Sequence, residues 1–372
     1  MRKIPECVAC GNHRLLPFLD MGWQPLANGF HASEESLQPH YPLCVVHCGQ
    51  CGHKQLTQAV PPDRMFKMYP YRSGVSETLR ADFQRLAMQI RARYGDCRVL
   101  DIACNDGTFL QELEAVSCQA VGIDPALNLI EEAKQKGLNA HCGYWTKDTA
   151  ETLGQFDVIT ALNVLAHTDD PLSFLLDCRR GLKPGGTMIV QTSQVDWIEK
   201  GEFDCVYHEH VSYFTESSMR RLAQRAGFDV ANVYYPEIHG KSLRVFLSDP
   251  LGTFAARFNQ SCEAAQESVA KWRLAGYAVW GYGAAAKGNM RLNTAHVCLD
   301  AIVDDTEGKQ GMFTPGMNIP VISGERLREK PKLAVVVMAW NFLPEIMQKT
   351  LAAREGLDTV FIDARTWQEV TP

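Results

Sequence analysis

The chain of 372 residues is 46% hydrophobic and 22% charged, a composition typical of soluble globular protein, and its length suggests two or three domains. The formal net charge of −6 and the pI near 6.0 argue against a nucleic acid polymer or an anionic membrane as partner, because both require basic surface. The sequence has no apolar run near the roughly 20 residues that span a bilayer, and its start, MRKIPECVACG, lacks the apolar core of a signal peptide. The chain has thirteen cysteines, an odd number. Together with the missing signal peptide, this number predicts a cytoplasmic protein whose thiols are reduced, some of them binding metal.

Two CxxC pairs, each followed by glycine, mark the predicted first domain, residues 1–70. They are Cys7-Val-Ala-Cys10 and Cys48-Gly-Gln-Cys51, and four thiolates suit a tetrahedral structural Zn²⁺ ion. A redox-active CxxC is the alternative, but neither pair is placed between a strand and a helix. The segment between the pairs predicts short strands and turns that the metal holds together. Substitute ligands nearby are Cys44, His47 and His53.

Strand and helix patterns alternate through the predicted second domain, residues 71–250. Residues 77 to 94 show the apolar spacing of an amphipathic helix. Apolar strands and helical stretches follow in turn: CRVLDIACNDG, TFLQELEAV, QAVGIDP, ALNLIEEAKQKG, FDVITALNVLAH and GGTMIVQTS. Later, DVANVYYPEIHGKSLRVFLS predicts two antiparallel strands around Gly240, with His239 and Lys241 at a strand edge. The pattern predicts a doubly wound parallel sheet completed by an antiparallel pair.

Polar residues follow three of these strands at the sheet edge where ligands bind. The loop DIACNDG resembles the first motif of class I methyltransferases, D-x-G-x-N-x-G, and departs from it at Ala103. A carboxylate at Asp124 is placed to accept both hydroxyls of a ribose, and no phosphate-binding lysine follows the loop. The resemblance implies S-adenosylmethionine (SAM) as cofactor; flavin or NAD is the alternative. The predicted cofactor-binding residues are Asp101, Ala103, Asn105, Gly107, Asp124, Pro125 and Asn163.

The stretch from Val206 to Thr215, VYHEHVSYFT, carries five proton-handling side chains without an apolar period of 2 or 3.6. A loop with such a cluster between ordered elements is a common place for catalytic groups, although a solvated polar connector is the alternative. His167 follows the fourth strand, where a histidine can either pack or take part in catalysis.

A second strand–turn–helix, YAVWGYGAAAKGNMRLN, opens the predicted third domain, residues 251–372. Its glycines allow a tight turn, Ala286 replaces the third glycine of the dinucleotide motif, and Asp304 stands where that motif expects its acid. An NAD-binding domain and a structural domain without ligand are therefore alternatives. Lys287 favours a diphosphate as ligand. The predicted substrate-binding residues are Gly281, Gly283, Lys287 and Asn289.

The order of CxxC pairs, DIACNDG, YHEH and GYGAAAKG resembles, over nearly the whole chain, the sugar 3-C-methyltransferases that act on nucleotide-linked 4-keto-deoxysugars. The resemblance implies that His210 is the general base and that Glu209, Tyr207, His167 and Tyr71 belong to the same site. His208 and Tyr213 are then expected to be structural.

The resemblance further implies that the nucleotide diphosphate lies against the Gly281–Lys287 turn, between the second and third domains. The expected fold is α/β: a class I methyltransferase (Rossmann-like) domain with a small N-terminal zinc module and a C-terminal Rossmann-like domain. The expected function is SAM-dependent C-methylation of a nucleotide-linked 4-keto-6-deoxyhexose, after deprotonation at C3. The alternatives are an NAD-dependent oxidoreductase, a non-catalytic zinc-ribbon interaction protein, and an O- or N-methyltransferase.

Overall fold

The computed structural model describes residues 1–31, 33, 37–193 and 196–372. They divide into two units, Met1–Phe254 and Ala255–Pro372. The two CxxC pairs and the predicted SAM loop both lie in the first unit. No helix in the described part of the chain is long and apolar enough to cross a membrane.

A seven-stranded sheet forms the centre of the first unit. Five neighbouring strands are parallel because helices connect them. The strand Leu243–Ser248 pairs antiparallel with its neighbours on both sides, so an antiparallel pair completes the sheet, as the sequence pattern predicts. In spatial order the strands are Asp229–Tyr234, Leu243–Ser248, Leu182–Thr192, Phe156–Leu162, Arg98–Ile102, Gln119–Asp124 and Ala140–Cys142. The prediction of a class I methyltransferase sheet is confirmed.

Helices cover this sheet with their apolar sides. The helix Glu77–Tyr94 has the predicted bounds: Ser76 caps it by accepting the Leu79 N–H, and Gly95 ends it with φ 64°. Thr215 caps the helix Glu216–Arg225, because its side chain accepts the Ser218 N–H. The other helices of four or more residues within this unit are Thr108–Ala115, Leu127–Gln135, Lys147–Leu153, Pro171–Gly181 and Trp197–Lys200.

A second sheet, of four strands, holds the cysteine-rich segment. In spatial order its strands are Ser212–Tyr213, Lys54–Leu56, His40–Cys48 and Leu15–Pro25. The two longest strands, of 11 and 9 residues, pair with each other, so the prediction of short strands between the CxxC pairs was wrong. For residues 32 and 34–36 the prediction lies outside the described residues. The strand Ser212–Tyr213, two residues after His210, pairs with Lys54 and Gln55. It was not predicted, because two residues are too few to show a period in the sequence. The segment Arg2–Lys3 pairs separately with Gln58–Ala59.

The second unit is a doubly wound sheet, as predicted. In spatial order its strands are Val321–Ile322, Ala301–Val303, Ala278–Tyr282, Lys332–Val337, Asp358–Asp363 and Gln368–Val370, and only the last is antiparallel to its neighbour. The helices Ala286–Thr294 and Leu343–Ala353 pack on it. The helix Pro250–Leu274, which leads into this unit, was not predicted; it buries only Ala265 and Val269, so its sequence carries little apolar periodicity.

The turn after the strand Arg98–Ile102 has an uncommon backbone. Ala103 has φ 58° and Asn105 has φ 54°. Two hydrogen bonds hold the turn, because the N–H groups of Ala103 and Cys104 both donate to the Ile123 carbonyl oxygen, at 2.7 and 3.2 Å. The left-handed conformation costs an alanine about 1–2 kcal/mol, whereas glycine adopts it freely.

We therefore expect Ala103→Gly to raise the free energy of unfolding by about 0.5–1 kcal/mol, because relief of strain exceeds the added entropy of the unfolded chain. Urea denaturation of the two proteins measures the difference. Ala133→Gly, in the interior of the helix Leu127–Gln135, is the matched control and should lower stability by at least about 1 kcal/mol. If Ala103→Gly lowered the free energy of unfolding as much as the control does, the proposed backbone strain at Ala103 would be contradicted.

Candidate active site and metal centre

One cavity of about 700 Å³ lies at the carboxyl ends of the seven-stranded sheet. This volume is in the range of small-molecule sites. Its walls include the strand ends of the sheet, the YHEH loop, and residues of the N-terminal part of the chain, namely Asn28, Pro62, Phe66, Tyr69 and Tyr71. The predicted cofactor and catalytic residues therefore meet at a single cavity, with the exceptions given below.

Asp124 organises the end of the cavity next to the DIACNDG loop. Its Oδ2 accepts the Asn105 N–H at 3.0 Å and its Oδ1 accepts the Ala126 N–H at 2.8 Å. Asn105 in turn accepts the Ser73 N–H through its side-chain oxygen at 2.9 Å. Burial raises the pKa of Asp124, and the two backbone hydrogen bonds oppose that rise. Each carboxylate oxygen keeps a free lone pair for a ligand hydroxyl.

The groups at this end fit a nucleoside with an amino-acid tail. Asn163 has φ 60°, and its buried Oδ1 has no partner. Unfavourable backbone angles and unsatisfied polar atoms often occur together at ligand sites. An acceptor carboxylate suits ribose hydroxyls, and the amide oxygen suits an ammonium or amine donor. These are groups that SAM carries, so the residues present fit this cofactor.

The structure separates the predicted cofactor residues into two groups. Asp101 and Gly107 lie behind the cavity wall. The Asp101 Oδ1 accepts the Thr160 hydroxyl at 2.6 Å, and burial raises the pKa of Asp101 to about 7. At Gly107, with φ 78°, a Cβ would lie 2.4 Å from Leu138, so the glycine serves packing. The predicted residues that line the cavity are Ala103, Asn105, Asp124, Pro125 and Asn163.

His210 has a defined hydrogen-bond state. Its Nδ1 lies 3.0 Å from the Cys205 carbonyl oxygen, which can only accept, so Nδ1 carries the proton. Its Nε2 therefore has the lone pair and accepts the Tyr207 hydroxyl at 2.9 Å. Burial lowers the pKa of His210 to about 4, so the ring is neutral near pH 7. Both His210 and Tyr207 line the cavity.

His167 meets His210 edge to face, with ring centroids 5.1 Å apart, and Phe66 packs on its other side at 5.7 Å. Burial, assisted by the proximity of His210, lowers the pKa of His167 to about 3. Two neutral imidazoles therefore stand side by side at the cavity.

Glu209 lies behind the cavity wall rather than in it. It is 2% exposed, and its two oxygens accept hydrogen bonds from Asn28 Nδ2 at 2.8 Å and from the Tyr69 hydroxyl at 3.0 Å. Burial raises the pKa of Glu209, and the two hydrogen bonds oppose this. Tyr71 lines the cavity and is 43% exposed. Asn28 and Tyr69 were not predicted, because neither lies in a motif and their partner is more than 100 residues away.

Two further histidines and one tyrosine, His208, His239 and Tyr213, lie near the YHEH loop in the structure or in the sequence, and their contacts differ from those of His210. His208 donates through its Nε2–H to the Tyr41 carbonyl oxygen at 3.2 Å, and Tyr213 lies in a strand. The prediction of strand-edge positions for His239 and Lys241 was wrong, since both lie in the turn between Asp229–Tyr234 and Leu243–Ser248. His239, with φ 50°, lines the cavity. The following Gly240 was the available signal for that turn.

The glycine turn of the second unit owes its glycines to packing. A Cβ at Gly281 would lie 2.8 Å from Met338 Sδ, and one at Gly283, with φ 90°, would lie 2.6 Å from the Cβ of Ala339. The predicted Lys287 is exposed in the first turn of Ala286–Thr294, and the Oδ1 of Asn289 is buried without a partner.

Asp304 does not offer a free carboxylate to a ribose. Its Oδ2 accepts the Ala284 N–H at 2.7 Å and pairs with Lys309 Nζ at 3.1 Å, while its Oδ1 accepts the Thr306 N–H. A dinucleotide would have to displace the lysine, which weakens the NAD alternative.

The four predicted metal ligands converge. The sulfur atoms of Cys7, Cys10, Cys48 and Cys51 all lie within 4.8 Å of one another. Two of the separations are 3.6 and 3.5 Å, close to the roughly 3.8 Å edge of a tetrahedron with Zn–S bonds of 2.3 Å. Two N–H donors, Asn12 Nδ2 and the backbone of Gln50, point at Cys48 Sγ and would stabilise a thiolate. The set therefore fits Zn²⁺ with no ligand position left open.

The suggested substitute ligands lie elsewhere. The Cys44 thiol donates to Asp20 Oδ1 at 3.1 Å, and His53 Nδ1 lies 3.2 Å from Ser218 Oγ.

We expect Cys10→Ser to reduce bound zinc from about one ion per chain to a small fraction of that, because three thiolates hold the ion far less tightly. Metal content after gel filtration, measured by atomic emission, checks this. Cys44→Ser is the control and should keep the wild-type zinc content. Equal zinc in the Cys10 and Cys44 variants would contradict the four-cysteine centre.

The lowered pKa of His167 should make stability depend on pH. The pKa of His167 is lowered below its ordinary value of 6.5, so its contribution is present above pH 6.5 and is lost as pH falls toward 3. Between pH 7 and pH 5 the loss from this residue is about 2 kcal/mol. Urea denaturation should therefore show a smaller pH dependence for His167→Gln than for wild type. The exposed His141→Gln is the control; a His167 variant that matches it would refute the burial argument.

Family models match three successive parts of the chain. A zinc binding domain matches residues 7–66, a methyltransferase domain matches residues 71–233, and a C-methyltransferase C-terminal domain matches residues 237–362.

Among curated proteins, C-methyltransferase NovU from Streptomyces niveus is 27% identical over 93% of this chain and 92% of its own length. The ubiquinone biosynthesis O-methyltransferase of Cereibacter sphaeroides is 27% identical over 42% of this chain and 69% of its own. Among solved structures, the magnesium protoporphyrin IX methyltransferase of Synechocystis is 14% identical, with a TM-score of 0.38 over 46% of this chain and 83% of that one. The chain is therefore a SAM-dependent methyltransferase that joins a zinc binding domain and a C-methyltransferase C-terminal domain to its catalytic sheet.

Proposed function

We propose that the chain methylates carbon C3 of a nucleotide-linked 4-keto-6-deoxyhexose, after removing the proton from that carbon. One observation carries the proposal: His210 presents a neutral imidazole, with its lone pair on Nε2, at the cavity that the SAM loop also lines. Methylation at carbon needs a base for a C–H bond, whereas transfer to a hydroxyl or amine does not. The similarity to a C-methyltransferase over 93% of the chain supports the same chemistry.

The proton transfer follows from the acidity of the substrate. A C–H bond next to a ketone can ionise because its electron pair passes to the carbonyl oxygen. The Tyr207 hydroxyl turns from His210 Nε2 to donate to the substrate carbonyl oxygen, which frees the Nε2 lone pair. Nε2 then takes the C3 proton while the Tyr207 hydroxyl stabilises the enolate oxygen. Bound SAM supplies an electrophilic methyl group and leaves as a neutral thioether. The new carbon–carbon bond uses the enolate electron pair, and His210 returns its proton to solvent.

The low pKa of His210 keeps its ring neutral before the reaction. A ring with pKa about 4 is almost wholly neutral at pH 7 and ready to accept a proton. The neighbouring His167 is also neutral, so no positive charge opposes protonation of His210. His167 can instead donate a hydrogen bond to the enolate oxygen.

The second unit is proposed to bind the nucleotide part of the substrate. Lys287 places an exposed ammonium in the first turn of the helix Ala286–Thr294, and helix N-termini favour phosphate. The buried, unpartnered Oδ1 of Asn289 is an acceptor available in the same turn. The Lys309–Asp304 pair favours this role over dinucleotide binding.

Deuterium wash-in tests the base. In D₂O with a nucleotide-4-keto-6-deoxyhexose and S-adenosylhomocysteine, wild type should exchange the C3 proton, and His210→Asn should exchange it at least about 100-fold more slowly, because a general base contributes that much or more. Proton NMR of the sugar follows the exchange. His208→Asn, whose side chain faces Tyr41 rather than the cavity, is the matched control and should exchange normally. Full exchange in His210→Asn would remove His210 from the base role.

A further inference from the structure

Asn28 reaches the cavity from the turn that follows the strand Leu15–Pro25. The turn is tight, because the Gly29 N–H donates to the Leu26 carbonyl oxygen and the Phe30 N–H donates to that of Asn28, both at 3.0 Å. Leu26 and Phe66 both pack against a small apolar cluster of Tyr41, Val60 and Met65. The Asn28 backbone is therefore held by its own module.

Glu209 fixes the Asn28 side chain from behind the wall. One Glu209 oxygen accepts Asn28 Nδ2 at 2.8 Å, and the other accepts the Tyr69 hydroxyl at 3.0 Å. Glu209 is buried, whereas Asn28 and Tyr69 line the cavity. A buried carboxylate with two donors holds both of them strongly, since losing either would leave its charge less compensated.

The hydrogen-bond inventory shows what the two side chains can offer a ligand. One of the two side-chain N–H groups of Asn28 already donates to Glu209, so one N–H and the amide oxygen remain for a ligand. Tyr69 has spent its only proton on Glu209, so its oxygen can only accept. Together they present one donor and two acceptors, which suits a carbohydrate with neighbouring hydroxyl and carbonyl groups.

Ring contacts place these groups on the side of the proposed base. Tyr69 packs against Phe66 at 6.0 Å, Phe66 against His167 at 5.7 Å, and His167 against His210 at 5.1 Å. These contacts link Tyr69 to His210, and Asn28 is linked to the same group through Glu209, which precedes His210 in the chain.

We propose that Asn28 and Tyr69 contact the sugar and determine its selection, and that Glu209 is the positioning residue that aims them. This assignment rests on the proposed function. Under this assignment the N-terminal module contributes to the substrate-binding wall and is more than a metal-held scaffold. Glu209 makes no direct contact with the sugar.

Steady-state kinetics of the full chain with SAM and a nucleotide-4-keto-6-deoxyhexose test the proposal. Asn28→Ala should raise KM for the sugar nucleotide about tenfold, the effect of one lost hydrogen bond to a held group, with KM for SAM and zinc content unchanged. Tyr69→Phe, which keeps the ring, should act similarly. Gln24→Ala is the control from the same module; its amide donates to the Met21 carbonyl oxygen, and its kinetics should match wild type.

A double-mutant cycle separates positioning from general loss of structure. Glu209→Gln should also raise KM for the sugar, and adding Asn28→Ala to it should cost less than the product of the two single effects, because both changes break one contact. A sugar KM within twofold of wild type in both Asn28→Ala and Tyr69→Phe would overturn the proposal, as would loss of zinc or SAM affinity in the same variants. If wild type itself turns over no 4-keto sugar nucleotide, the proposed function fails, and this assignment fails with it.

Discussion

The pairing of Ser212–Tyr213 with Lys54 and Gln55 is the contact on which the site depends. This two-residue strand begins two residues after His210, and the Leu56 N–H donates to the Val211 carbonyl oxygen at 2.9 Å next to it. Lys54 follows Cys51 by three residues, so the four cysteines hold the edge to which the YHEH loop is attached. A loop without apolar period has little conformational preference of its own. The metal-held sheet therefore supplies the order that positions His210.

The same arrangement explains how an N-terminal module takes part in a cavity of the methyltransferase sheet. Asn28 and Tyr69 reach Glu209, Phe66 packs on His167, and the Tyr144 hydroxyl donates to Asp63 at 3.1 Å. Tyr144 itself lines the cofactor end of the cavity. Residues that precede the sheet in the chain thus form part of the cavity wall. Desolvation accounts for the low pKa of His210 at this wall.

The sequence predicted those features that have a short-range signal. Strand and helix alternation gave the two doubly wound sheets, and the CxxC spacing gave the four-cysteine cluster. The positions of Asn28 and Tyr69 depend on contacts with Glu209, far away in the chain, and no local pattern records them. Glu209 was recognised as important, but its place behind the wall follows from burial, which the sequence does not display. The roles of the named site residues stay predictions.

The central claim is that the enzyme forms a carbon–carbon bond at a position it has first deprotonated. The most direct measurement incubates purified protein with SAM carrying a ¹³C methyl group and a small panel of nucleotide-4-keto-6-deoxyhexoses, followed by mass spectrometry and ¹³C–¹H NMR of the product. We expect a labelled methyl on C3 whose carbon couples to neighbouring ring protons, with no proton left on C3. A labelled methyl bound to oxygen or nitrogen, or no transfer to any of these sugars, would contradict it.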